Sequence, residues 1–100
     1  VATTPEERAE ARDDGRQALK LAERLIAQGD IAGARDILAR VAAEGTPYAL
    51  LALAETYDPN VLAAWGVRSA EADTERARHL YTSALVAGVE QARRRLETLD

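Results

Sequence analysis

His79 is the only histidine in this sequence, and so the only side chain with an ordinary pKa suited to base catalysis near neutral pH. A nucleophilic site would pair it with an activated serine or cysteine. There is no cysteine, and no spacing supports a Ser/His arrangement. His79 follows the charged stretch from Arg76 to Arg78, which predicts a solvated helix residue. Carboxylates come in adjacent pairs, Glu6/Glu7 and Asp13/Asp14. Neighbours in sequence point in different directions on a helix, so these pairs suit solubility and capping better than general acid–base work. Gly29 and Gly33 flank a helix start, but the residues between them match no phosphate-cradling motif. The expectation is a chain without catalysis, cofactor or metal site of its own.

The run Arg93-Arg94-Arg95 makes the best case for a nucleic-acid contact. It stands beside Glu90 and Glu97 on a short terminal helix, where basic side chains favour the helix dipole. A solvated, dipole-complementing face is therefore expected, with contact to an acidic protein or a phosphate as the alternative. The net charge of −4 adds no general attraction for nucleic acid or an anionic membrane. No apolar stretch approaches the roughly 20 residues needed to span a bilayer, and no signal peptide is visible. Without cysteine the redox compartment stays open, cytoplasmic and periplasmic alike. The chain begins at Val1 rather than Met, as a processed form or a piece of a longer protein would.

Whatever these residues do, helices must position them. Hydrophobic residues are 47% of the 100, but much of that share is alanine, and there is no Phe or Met. A core so poor in bulk requires closely approaching backbones, as helices with small residues at their contacts provide. Thr4-Pro5-Glu6-Glu7 reads as a helix start, with Thr4 as cap and Glu7 reaching back. One helix is expected from about Pro5 to Gln28, frayed or kinked at Gly15, where Asp14 and Gln17 could cap a fresh start. Ala18, Leu21, Ala22 and Leu25 share one face, with Ile26 beside them. Gly29 ends that helix and Asp30 caps a second, carrying Ala34, Ile37, Leu38, Val41 and Ala42 and stopped by Gly45. Thr46-Pro47 opens a third with Ala49, Leu50, Leu53, Ala54 and Tyr57. Asp73 caps a fourth with Ala77, Leu80, Tyr81, Ala84 and Leu85, closed by Gly88. A last helix carries Ala92, Leu96 and Leu99. No period-2 run indicates a strand.

Sliding the chain by 43 residues superimposes Asp30 on Asp73, Ala34 on Ala77, Arg35 on Arg78 and Ile37 on Leu80. Gly45 then falls on Gly88, Ala49 on Ala92 and Leu53 on Leu96. A slide by 32 puts Leu21 on Leu53, Ala22 on Ala54 and Leu25 on Tyr57. Such self-similarity is the mark of a repeat architecture. The predicted fold class is all-α, an α-solenoid of two helical hairpins (16–44 and 46–87) and a closing helix (89–99), five main helices in all. A charged segment, 1–15, precedes it as a frayed or helical extension.

The spacing Ala49-x3-Leu53-Ala54-x2-Tyr57, followed by Asp73-x3-Ala77-x2-Leu80-Tyr81-x2-Ala84-Leu85-x2-Gly88-x3-Ala92-x3-Leu96, resembles the Sel-one-like repeat, a branch of the tetratricopeptide superfamily. The resemblance spans roughly Ala18 to Leu99. Ala54 departs from it where the family usually has glycine, Leu85 where it usually has a second alanine. The resemblance implies a protein-interaction solenoid, an adaptor or scaffold, often in bacterial envelope or signalling settings.

Between Tyr57 and Asp73 the second hairpin carries eleven more residues than the first has between Leu25 and Asp30. Pro59 and Gly66 bound a short helix there, near 59–65. Val61, Leu62 and Trp65 could fold back over the hairpin's open end, or Trp65 and Arg68 could form a recognition surface. In a hairpin solenoid the first helix of each pair lines the concave face. Helical offset from the core positions places Arg16, Leu19, Glu23 and Ile26 there from the first helix. The third supplies Tyr48, Leu51 and Glu55, and the last Gln91, Arg94 and Thr98. The expected partner is a protein or peptide in that groove, with Arg16 and Arg94 engaging acidic groups. The alternative is a structural or oligomerisation domain, in which the closing helix or a second copy of the chain covers Leu19, Ile26, Tyr48 and Leu51.

Overall fold

The computed structural model describes residues 4–99, and of residues 7–14 the backbone alone. Within them the chain is all-α: α1 (Pro5–Ala27), α2 (Ile31–Ala43), α3 (Pro47–Tyr57), α4 (Pro59–Ala64), α5 (Thr74–Val86) and α6 (Gln91–Thr98). These are the five main helices and the short inserted one that caps and periodicity predict. Asp30 accepts a hydrogen bond from the Gly33 amide at 2.9 Å, and Asp73 repeats the arrangement with the Arg76 amide at 3.0 Å. The capping roles expected of Glu7 and Asp14, and the Asp13/Asp14 pair, fall on side chains outside the described residues.

The 43-residue offset is also a match of backbone conformation. Gly45 and Gly88 have φ of 96° and 98°, left-handed values that cost a residue with a Cβ about 1–2 kcal/mol. Each lets the chain fold back the same way. Thr46 N–H donates to the Val41 carbonyl at 3.2 Å, and Val89 N–H to the Ala84 carbonyl at 2.9 Å.

Packing follows the chain: α1 on α2, α2 on α3, α3 on α5 and α5 on α6, with α4 laid against α3. Ala34 and Ala77, Leu38 and Tyr81, Val41 and Ala84, and Ala49 and Ala92 are buried at equivalent places in the two units. The alanines bring the helix axes close, as a core short of large side chains demands. Ala22, Ala34, Leu38, Val41, Ala49 and Leu53 form one cluster joining α1, α2 and α3. A second gathers Ala54, Ala77, Tyr81, Ala84, Val89, Ala92 and Leu99 from α3 to the chain's end. Tyr57 and Leu80 pack against both. The stack measures 42 × 28 × 17 Å, a slab rather than a ball.

Three expectations change. Helix α1 runs unbroken through Gly15. That glycine is buried, and a Cβ on it would meet the Thr46 hydroxyl at 2.8 Å. It is a point of close approach between α1 and the start of α3, and the Thr46 side chain makes no cap bond. Leu21, expected in the core, is 40% exposed. The buried stripe of α1 is centred on Gly15 and Ala22, and Leu21 lies about 100° around the helix from Ala22. Its repeat counterpart Leu53 packs against α2. Among the described residues α1 packs mainly on α2, which leaves Leu21 open. In the insertion, Val61 and Leu62 are buried, whereas Trp65 stays 39% exposed. The fold-back expected of all three residues thus holds for the two aliphatic ones alone.

Candidate functional site

Residues of α3 and α6 border an open groove of about 830 Å³. Its lining is Leu51 and Glu55 from α3, Glu90 at the start of α6, and Gln91, Arg94, Arg95 and Thr98 along it. Five of these, Leu51, Glu55, Gln91, Arg94 and Thr98, are positions that helical offset assigns to the concave face. Tyr48 stands next to them, 52% exposed, and its hydroxyl accepts a hydrogen bond from the Gln91 amide at 3.3 Å. Leu51 is half-buried and packs against the C-terminal core cluster.

The α1 share of the face looks different. Arg16 and Glu23 are exposed on α1. Leu19 and Ile26, expected to be apolar without being core, are half-buried against the cluster that joins α1 to α3. The stripe centred on Ala22 is wide enough to take them in, so the apolar part of the groove rests on Tyr48 and Leu51.

An ion pair crosses the groove. Arg95 Nη2 lies 2.7 Å from Glu55 Oε2, and Nε lies 3.0 Å from the same oxygen. Burial pushes the Glu55 carboxyl above the usual carboxylate range, and Arg95 pulls it only partly back. Desolvation works against the Arg95 charge, but the Glu55 hydrogen bond and charge outweigh it and raise its pKa. Arg93 is likewise engaged, 3.3 Å from Glu90 Oε2. Among the described residues Arg94 has no ion pair.

Beneath the groove is polar structure that sequence reasoning missed. Asp58, fully buried, accepts hydrogen bonds from the Asn60 amide at 2.8 Å, the Val61 amide at 3.4 Å and the Tyr81 hydroxyl at 2.7 Å. It caps α4 and ties it to α5 at once. Burial, then the bond to Asp58, drives the Tyr81 phenol well above its ordinary range, so it stays a donor. Asn60 donates to the Thr98 carbonyl at 2.7 Å, fastening α4 to the end of α6. Arg35 donates to the Thr56 and Glu71 carbonyls at 2.5 and 2.8 Å and lies 3.9 Å from the Tyr57 ring centroid. It thereby clamps the returning end of the insertion onto α2. The D-P-N signal at 58–60 marks the break in the helix, but a cap-forming Asp in sequence carries no sign of its own burial.

Trp65 and Arg68 are exposed on the insertion and do not line the groove. His79 is exposed on α5. Among the described residues no three His, Asp or Glu side chains gather as metal ligands would, and no helix is long and apolar enough to cross a membrane.

No protein-family model, curated protein or solved structure matches this chain.

Proposed function

We propose that this domain is a non-catalytic protein-interaction module, an adaptor or scaffold of Sel-one-like or tetratricopeptide-like kind, which holds a peptide or protein segment against α3 and α6. The observation that carries this reading is the groove itself. It opens on the face to which the repeat assigns binding, with an exposed aromatic and an aliphatic side chain among groups suited to hydrogen bonding. Support also comes from the repeated use of matched caps, glycine turns and buried alanines, which builds a stack with an extended side face.

Tyr48→Ala removes an exposed ring without entering the core, and Leu51→Glu places a charge in the groove. Both variants should keep a helical circular dichroism spectrum and lose the proteins that the wild-type domain captures by cross-linking. Full retention of those proteins by both folded variants would sink the proposal. A second reading, self-association, draws on Val86, 84% exposed at the end of α5, and on Leu21. Light scattering across a concentration series tests it: a dimer abolished by Val86→Glu would favour that role.

A further inference from the structure

Charge accounting along α6 narrows what the groove accepts. Of three consecutive arginines, Arg93 is engaged by Glu90 and Arg95 by Glu55. Arg94 remains, lining the groove with no ion pair among the described residues. Tracking a phosphate backbone takes several cations at once, whereas one guanidinium fits one carboxylate through two parallel hydrogen bonds. The two acids that line the groove, Glu55 and Glu90, are both occupied by arginines, so neither is left to repel an incoming acid. Alongside lie the Leu51 side chain and the exposed Tyr48 ring, apolar surface for a neighbouring residue.

We infer that the groove binds an acidic peptide segment, an Asp or Glu carboxylate on Arg94 with an adjacent aliphatic or aromatic side chain against Leu51 and Tyr48. This rests on the interaction-module reading above. The chain's net charge of −4 disfavours acidic partners in general, so such binding depends on this one site.

The test is selection of a displayed library of random short peptides on the immobilised domain, followed by fluorescence anisotropy with a synthetic copy of the dominant sequence. The recovered peptides should carry Asp or Glu next to an apolar residue. Arg94→Gln should weaken binding about tenfold, while Lys20→Gln, an exposed charge on α1, should leave it unchanged. A labelled oligothymidylate should bind more weakly than the peptide. Peptides without acidic residues, or equal binding to Arg94→Gln, overturn the inference. If such peptides still depend on Tyr48, the interaction-module reading stands without it. Binding that ignores both Tyr48 and Arg94, or recovery of no peptide, counts against both. Tighter binding of the oligothymidylate assigns the arginine run to nucleic acid and overturns the peptide inference.

Discussion

Asp58 shows how much a single side chain holds in this molecule. A carboxylate without exposed surface is tolerable only with its lone pairs filled, and Asp58 has two backbone amides and a phenol. Tyr81→Phe keeps the ring in place and removes one donor. It should cost about 1.5–3 kcal/mol in urea denaturation, although Tyr81 itself loses only an oxygen. Glu55 presents the opposite case, a carboxyl that burial pushes upward. Its folded form holds a proton more tightly than its unfolded form. The contribution of Glu55 to stability is therefore fully present below the ordinary value of 4.5 and declines as pH rises from there through the folded pKa. Glu55→Gln removes this decline, so the variant should gain on the wild type as pH rises above 4.5, read as the difference in denaturation midpoints. Neither role is legible in sequence, where Glu55 is a groove position and Asp58 a helix breaker. Burial is decided by contacts with residues far along the chain, Arg95 for one and Tyr81 for the other.

At the scale of elements more is legible in the sequence, because caps and turns are local. Asp30, Asp73, Gly45 and Gly88 act within a few residues of themselves, and their conformations are set by their own chemistry. Gly15 is the instructive exception. Read along the chain it is a weak point in a helix, yet across the fold it is the contact that seats α1 against Thr46. The insertion is a second case. Its extra length is plain in the sequence, but Arg35, which pins it, lies 36 residues from Glu71. A further pin is the Asp73 amide, which donates to the Tyr57 carbonyl at 2.8 Å. Arg35→Ala should leave α2 intact and loosen this segment. Hydrogen exchange at Asp73 and proteolysis between Gly66 and Asp73 should both accelerate, and unchanged rates would show that Arg35 is not the clamp.

Over the whole molecule, a stack in which helices touch mainly their neighbours transmits stability only through shared contacts. Tyr57 and Leu80 are two such contacts, since each packs against both core clusters. Leu80→Ala should lower stability by about 2 kcal/mol and broaden the urea transition, as the two halves begin to unfold separately. Leu38→Ala, confined to the α1–α3 cluster, should lower the midpoint with the slope retained. The repeat offset anticipated that two units share a core plan, but not which side chains join them, since joining residues need obey no repeat. The exposed Trp65 has a practical consequence of another kind. It is the sole tryptophan and sits at the end of α4, so the intrinsic emission of this protein is a beacon on its insertion. A fluorescence melt will follow the undocking of that short helix, while far-ultraviolet dichroism follows the stack. The interval between the two curves measures how firmly Asp58, Asn60 and Arg35 hold the insertion in place.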